Sequence, residues 1–373
     1  MKSFRLDTGI QEFPDFAACA ESYGLDEQDL ILTNEYIYHP AISQLSLPCQ
    51  TLFQEKFGMG EPTDEMVNAI LKSLEGTSFR RIIAVGGGTI IDIAKVLAVA
   101  GPGEQMDDLY EKMPELTKHH ELIIVPTTCG TGSEVTNIAV VSRVSRGVKQ
   151  GLVSPAMYAE EAALICGMLD TLPYKVFATS SIDAMIHAVE SYLSPNGAPI
   201  SRIFSEEALM IIVKRWVDAL AAGGGDAWKA YAADFLRASN YAGIAFGYAG
   251  CAAVHALSYP IGSVHHVPHG QSNQLMFADV MRKYKEKTSE GRMNDLEELL
   301  AGILGCDKAG AMDRLYEVMD AVCAKDTLRE HGVTEDELAV YSENVLKTQQ
   351  RLLKNNYVEL TYEDILDIYR KAF

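Results

Sequence analysis

One aspartate and several histidines fall into two short stretches whose spacing suits a metal ion. In SSIDAMIHAVESYLSP (residues 180–195), Asp183 and His187 stand four apart, which on a helix puts them on one face. That face is otherwise apolar, and a carboxylate there is expensive unless a positive group compensates it. In AVHALSYPIGSVHHVPHG (residues 253–270) lie His255, His265, His266 and His269, four of the chain's nine histidines. A carboxylate with several imidazoles is a ligand set for Fe2+ or Zn2+. Plainer roles stay open: Asp183 as a cap or ion-pair partner, His187 as a hydrogen-bonded core histidine.

A second chemistry is suggested by glycine. Residues 83–100, IAVGGGTIIDIAKVLAVA, set Gly86, Gly87 and Gly88 between an apolar run and a helical repeat. Glycine costs a helix or strand about 0.5–1 kcal/mol relative to alanine, so a triplet implies a turn that brings bare backbone close to something. Glycine N–H groups at the start of a helix form an anion site. Thr89 and Asp92 have the spacing of a capping box. The following loop, VPTTCGTGSEVT (residues 125–136), offers Thr127, Thr128, Thr131 and Ser133 beside Gly130 and Gly132. Two such loops at one sheet edge suit the pyrophosphate and ribose of a dinucleotide. The bland alternative is hydroxyls bonded only to their own backbone. Neither loop is a GxGxxG fingerprint or a Walker loop.

The elements that must position these groups divide the chain in two. Up to about residue 177, short β-branched runs, LILT (30–33), RIIAV (81–85) and LIIVP (122–126), alternate with helical spacing such as Met66, Ile70, Leu71 and Leu74. Alternating β and α implies a parallel sheet covered by helices, whose ligands bind outside the carboxyl ends of the strands. From about residue 178 the strand signal vanishes and helical patterns continue to the end. At 373 residues, two domains are expected.

Composition narrows the class. With 48% hydrophobic and 22% charged residues the chain reads as a globular enzyme. A net charge of −19 argues against nucleic acid as a partner. No apolar stretch is long enough to span a bilayer, and MKSFRLDTGIQEFPDF at the amino terminus carries scattered charges, which favours a cytoplasmic location. Seven cysteines without a CxxC suit free thiols in a reducing compartment.

Taken in order, GGGTxxDxxK, PTTxGTGSEVT, DxxxH and HxxxxPxG…PHG resemble the iron-containing (group III) alcohol dehydrogenases over essentially the whole chain. The resemblance implies the dehydroquinate synthase-like fold: an α/β, Rossmann-like nucleotide-binding domain over residues 1–177 and an all-helical metal-binding and catalytic domain over 178–373, with the active site in the cleft between them. It implies metal-assisted hydride transfer between a nicotinamide cofactor and a small-molecule alcohol or aldehyde, in a homodimer or larger homo-oligomer. The metal ligands carry over onto Asp183, His187, His255 and His269, with Fe2+ favoured and Zn2+ possible by ligand type. Gly86, Gly87, Gly88, Thr89 and Asp92 would hold the cofactor phosphates. Thr127, Thr128 and Thr131 would support its ribose and nicotinamide, with Lys149 near the nicotinamide ribose.

The chain also departs from the family pattern. Asn34, in LTNE (32–35), stands where NAD-specific members commonly carry an aspartate that excludes a 2′-phosphate. Glu35 could still bond the ribose, so NAD is expected over NADP. Many members have a further histidine four residues after the third ligand; here it is Tyr259, which leaves Tyr259 and His265 as candidates for proton transfer. Tyr248 stands where members often have asparagine, and NNYVEL (355–360) replaces an Asn-Pro-Arg. The alternatives are a general alcohol dehydrogenase for a short uncharged alcohol or diol and, more distantly, a dehydroquinate synthase-like lyase. The lyase would need several basic residues near the ligands, where they are sparse.

Overall fold

The computed structural model describes residues 4–288 and 290–373. The chain folds as two units, Arg5–Leu172 and residues 173–373, the latter joined by Phe4. The division falls five residues before the expected one.

The first unit contains β1 (Gly9–Glu12), α1 (Phe16–Tyr23), β2 (Asp29–Thr33), α2 (Glu35–Ala41), β3 (Gln50–Phe53), α3 (Asp64–Ser73), β4 (Arg81–Gly86), α4 (Gly88–Val99), α5 (Met106–Glu111), β5 (Glu121–Pro126), β6 (Ile138–Arg143), β7 (Val148–Val153) and β8 (Glu161–Leu164). Six strands form a parallel sheet in the order β1-β8-β5-β4-β2-β3. The three apolar runs become β2, β4 and β5, which lie together inside the sheet because they are covered on both faces. β1, β3 and β8 carry weaker signals, each only four residues long. The antiparallel pair β6–β7 lies outside the expected alternation of parallel strands and helices. Its buried face, Ala139, Val141 and Leu152, packs into the cluster that holds Ile90, Ile93 and Leu97 of α4.

At the amino ends of the central strands, Arg81 grips Asp29 with two bonds, Nε to Oδ1 at 2.9 Å and Nη2 to Oδ2 at 2.7 Å. This bidentate pair fixes β2 against β4, in register from Asp29↔Arg81 to Leu32↔Ala84. The chain leaves β2 for β3 on one side and returns to β4 on the other, so a crevice opens at the carboxyl ends of β2 and β4. Gly86 ends β4 at that point. A Cβ on Gly86 would lie 2.4–2.9 Å from the Ile90 side chain. Its glycine is required for α4 to pack directly on the strand it follows.

The second unit is α6 (Tyr174–Leu193), α7 (Pro199–Ala221), α8 (Ala232–Ala249), α9 (Ala253–His265), α10 (His269–Lys287), α11 (Arg292–Leu304), α12 (Ala311–Val322), α13 (Glu335–Thr348), α14 (Gln350–Leu353) and α15 (Tyr362–Ala372), with no strand among its described residues. From Phe177 to Leu193 every residue of α6 except Ser180 is buried, because α7, α8 and α10 pack around it. All seven cysteines are free thiols. No single helix among the described residues is long and apolar enough to cross a membrane.

Gly86→Ala should therefore lower unfolding stability by about 1–3 kcal/mol through overpacking against Ile90. Chemical denaturation of the variant against the parent measures this.

Candidate active site

The helical unit brings Asp183, His187, His255 and His269 together, their ligand atoms all within 4.8 Å of one another. Asp183 and His187 project from one face of α6, His255 from the first turn of α9, and His269 opens α10. His187 Nε2 and His255 Nε2 are 2.9 Å apart, and Asp183 Oδ1 lies 3.7 Å from both His255 Nε2 and His269 Nε2. Ligand atoms about 2.1 Å from a tetrahedral ion stand about 3.4 Å from each other, so these separations fit a single divalent ion. Burial would raise the Asp183 carboxyl, but the three imidazoles and Asn273 pull it below its ordinary value.

Supporting residues set the geometry. Asn273, one turn after His269, donates to Asp183 Oδ1 at 2.7 Å. Glu190 accepts three bonds: Ala252 N at 2.9 Å and His255 Nδ1 at 2.6 Å on Oε2, and Val254 N at 2.7 Å on Oε1. With Nδ1–H given to Glu190, His255 keeps its Nε2 lone pair for the cradle. Burial would strip the proton from the His255 ring, yet the Cys251 thiol and Glu190 hold its pKa well above the ordinary value. Cys251, also beside His187, is raised by burial and drawn down by both imidazoles to about 7. Gly270 lets α10 meet α6: a Cβ there would lie 2.2 Å from the Thr179 carbonyl oxygen and 3.4 Å from Asp183 Cβ.

Of the two proton-transfer candidates, Tyr259 is buried with its ring centroid 6.2 Å from that of His269. His265 is bonded elsewhere, its Nε2 2.8 Å from Tyr341 Oη, which in turn donates to Glu337 at 2.8 Å. Its neighbour His266 terminates α9 in a left-handed conformation, φ 55°.

The α/β unit brings the two polar loops together. Thr127 N donates to Gly86 O at 3.1 Å. The Cβ positions of Gly87 and Gly88 would lie 3.1 Å and 3.0 Å from the methyls of Thr128 and Thr131, so side chains there would crowd the loop. The buried Thr128 Oγ1 has no protein partner. An orphaned hydroxyl beside bare glycine backbone at a helix N-terminus suits a dinucleotide phosphate or ribose.

Thr89 and Asp92 do not form the expected capping box. Helix α4 begins at Gly88 with Gly87 as an N-cap that has no side chain to offer, which makes Thr89 an interior residue. Thr89 Oγ1 donates to Gly60 O at 3.2 Å. Asp92 reaches across the fold, accepting from Ser133 Oγ and Val140 N, each at 2.9 Å. It thus braces the second loop through Ser133. Its partner is Lys95, fully buried, which donates to Ser133 Oγ at 2.7 Å and to Thr136 Oγ1 and Ile138 O at 2.9 Å. Burial lowers the Lys95 pKa to about 8 although Asp92 and Glu134 oppose it. Lys149 is a buried lysine ion-paired with Glu61, the residue after the carbonyl that Thr89 bonds. Asn34 caps the end of β2, its Nδ2 donating to Glu55 at 2.8 Å.

Sequence reasoning did not assign Glu190, Asn273 or Lys95. Each had a signal in its spacing: Glu190 three after His187, Asn273 four after His269, Lys95 three after Asp92.

Metal cradle and glycine-threonine turn define a metal- and nucleotide-dependent oxidoreductase, and comparison with known proteins agrees. Residues 14–165 match the family described as iron-containing alcohol dehydrogenase, and residues 177–373 match the Fe-containing alcohol dehydrogenase family, C-terminal. The chain belongs to the iron-containing alcohol dehydrogenase family. It is 44% identical over 373 residues, covering 100% of both chains, to 4-hydroxybutyrate dehydrogenase of Clostridium kluyveri. It is 34% identical over 304 residues to long-chain-alcohol dehydrogenase 1 of Geobacillus thermodenitrificans, covering 79% of this chain and 75% of that one. Among solved structures, sulfoacetaldehyde reductase from Bifidobacterium kashiwanohense in complex with NAD+ has a TM-score of 0.85 at 22% identity, over 100% of this chain and 98% of that one. A 1,3-propanediol oxidoreductase has a TM-score of 0.84 at 24% identity, over 100% of each.

Replacing Glu190 with glutamine sets an amide against three donors, so Glu190→Gln should weaken metal binding by about 10–100-fold. Competition against a chelator reads that loss. Gly270→Ala forces α10 away from α6 and should abolish stoichiometric metal uptake, measured by elemental analysis of the purified variant.

Proposed function

We propose that the protein interconverts 4-hydroxybutyrate and succinate semialdehyde, using NAD in preference to NADP. What carries the reading to this substrate is the 44% identity, end to end, with a 4-hydroxybutyrate dehydrogenase, in a chain that keeps a complete four-ligand cradle. The same proposal puts the enzyme in the cytoplasm, where free thiols stay reduced, as a homodimer or larger homo-oligomer.

In the reducing direction a bound reduced nicotinamide would supply the hydride for the aldehyde carbon, and the protein would have to deliver a proton to its oxygen. Asp183, His187, His255 and His269 would hold a divalent iron, or zinc, which when bound would supply Lewis-acid stabilisation of the substrate oxygen. Glu190 and Asn273 keep His255 and Asp183 in the orientation that this requires. Gly86, Gly87 and Gly88 offer backbone N–H groups and the positive end of α4 to the cofactor pyrophosphate. Thr127, Thr128 and Thr131 would support the cofactor's ribose and nicotinamide from the next loop, with Lys149 near the nicotinamide ribose. Lys95 and Asp92 brace that loop through Ser133. For the proton we favour Tyr259, which stands beside His269, over His265, which is committed to Tyr341.

An anaerobic NADH-oxidation assay of the iron-reconstituted protein tests the proposal. Succinate semialdehyde should be reduced with a kcat/KM at least tenfold above that for butyraldehyde, about the value of one charged hydrogen-bonded contact. Preference for the uncharged aldehyde would transfer the protein to the general alcohol dehydrogenases.

A further inference from the structure

We propose that Glu55, at the end of β3, is the residue that makes this chain reject a 2′-phosphate, acting through a shared hydrogen-bond frame with Asn34. The proposal rests on the NAD reading above and deepens it by naming the group that discriminates between the two nicotinamide cofactors.

Asn34 follows β2 directly, and β3 pairs with β2 so that Phe53 stands opposite Thr33. Asn34 and the pair Gln54–Glu55 therefore leave the sheet side by side, at the same carboxyl edge where Gly86 ends β4. Strands are spaced about 4.8 Å apart, so the end of β3 lies about 10 Å along that edge from the glycine turn. A pyrophosphate seated on the turn would place the adenosine ribose over the ends of β2 and β3. In dinucleotide-binding sheets an acidic group at that place bonds the ribose 2′-hydroxyl.

Position 34 offers no charge, but its neighbour does. Glu55 Oε2 accepts from Asn34 Nδ2 at 2.8 Å, and Glu55 Oε1 accepts from Glu35 N at 2.6 Å. Asn34 Nδ2 also reaches Gln54 Oε1 at 3.1 Å. The donor half of the Asn34 amide is thus committed to the segment that follows β3, and among the described residues its Oδ1 accepts no protein hydrogen bond. What the frame offers a ligand is an amide oxygen and a carboxylate, both acceptors. Ribose hydroxyls can donate to them; a 2′-phosphate brings further acceptors and negative charge against Glu55. The Glu35 side chain pairs with Lys56 at 3.4 Å on an exposed surface, whereas Glu55 is held in the frame by two hydrogen bonds. Lys56 is the cation of this corner, and that pairing together with its place over the Phe53 ring, 4.7 Å from the centroid, offsets its pull on a phosphate.

Isothermal titration of the full-length protein with ADP-ribose and with 2′-phospho-ADP-ribose tests the assignment without turnover. The parent should favour ADP-ribose by about tenfold or more, and the preference should shrink as salt rises. Glu55→Gln, which keeps size and one acceptor, should cut the preference by about tenfold, chiefly by admitting the phosphorylated ligand. An unchanged preference in a Glu55→Gln protein of parental melting temperature overturns the assignment. So does an equal loss of both ligands, which would make Glu55 a scaffold residue. A parent that binds neither ligand overturns the NAD reading itself, an outcome distinct from either.

Discussion

Two carboxylates buried within two turns of one helix constrain everything around them. Asp183 and Glu190 are 3% and 2% exposed on α6, a helix buried almost throughout from Phe177 to Leu193. An isolated charge in such a place costs several kcal/mol, so each must be matched by donors or cations. Glu190 is matched by protein: two backbone N–H groups at the start of α9 and the His255 ring. Asp183 receives one amide donor and faces three imidazoles. Nε2 of His187 and Nε2 of His255, 2.9 Å apart, share at most one proton between them. A cation bound there would take both lone pairs and complete the charge balance of Asp183 in one step. The helices are thereby arranged around a place for a positive ion, with Glu190 tying α9 to α6 and Gly270 tying α10 to α6.

The α/β unit solves a mirror-image problem. There the buried charge is a cation, Lys95, with no exposed surface at all, and the compensation comes from Asp92, Ser133, Thr136 and a backbone carbonyl. Because Ser133 bonds both Asp92 and Lys95, the loop over residues 127–136 is pinned to the helix that starts at the glycine turn. Rigid attachment of the second loop to the first is what a bound dinucleotide requires, since both must keep their donors in place before it arrives. At the turn itself the buried Thr128 Oγ1 has no protein partner, while Asp92, Lys95 and Ser133 one layer below are bonded to one another and to backbone.

Much of this was legible in the residues. The three apolar runs became the central strands because burial on both faces leaves an unbroken β-branched signature. The DxxxH spacing and the histidine-rich stretch converge on one cradle. The edge strands were not legible: four-residue segments such as Gly9–Glu12, mostly exposed, carry too little pattern to be told from a loop. The capping-box spacing of Thr89 and Asp92 misled for a related reason. Local spacing says nothing of Ser133 and Lys95, and a buried cation outweighs a cap worth about 1 kcal/mol. Glu190 was hidden by its setting, since a glutamate three residues from a histidine on a helix reads as a solvated neighbour until the helix is known to be buried throughout.

The departures from the family pattern fall where the structure can absorb them. Asn355, in the segment that replaces Asn-Pro-Arg, donates to Cys251 O at 2.8 Å and accepts from Asn196 Nδ2 at 2.6 Å. Its side chain lies over Gly250, whose φ of 79° makes the sharp turn between α8 and α9. That turn leads directly into the first turn of α9, which carries His255, so Asn355 positions it through backbone contacts. The ligands themselves sit on helices, where a displacement of one residue would rotate a side chain by about 100° and destroy the set. Departures such as Tyr259 and Asn355 are therefore compatible with the cradle only because Asp183, His187, His255 and His269 keep their helical positions.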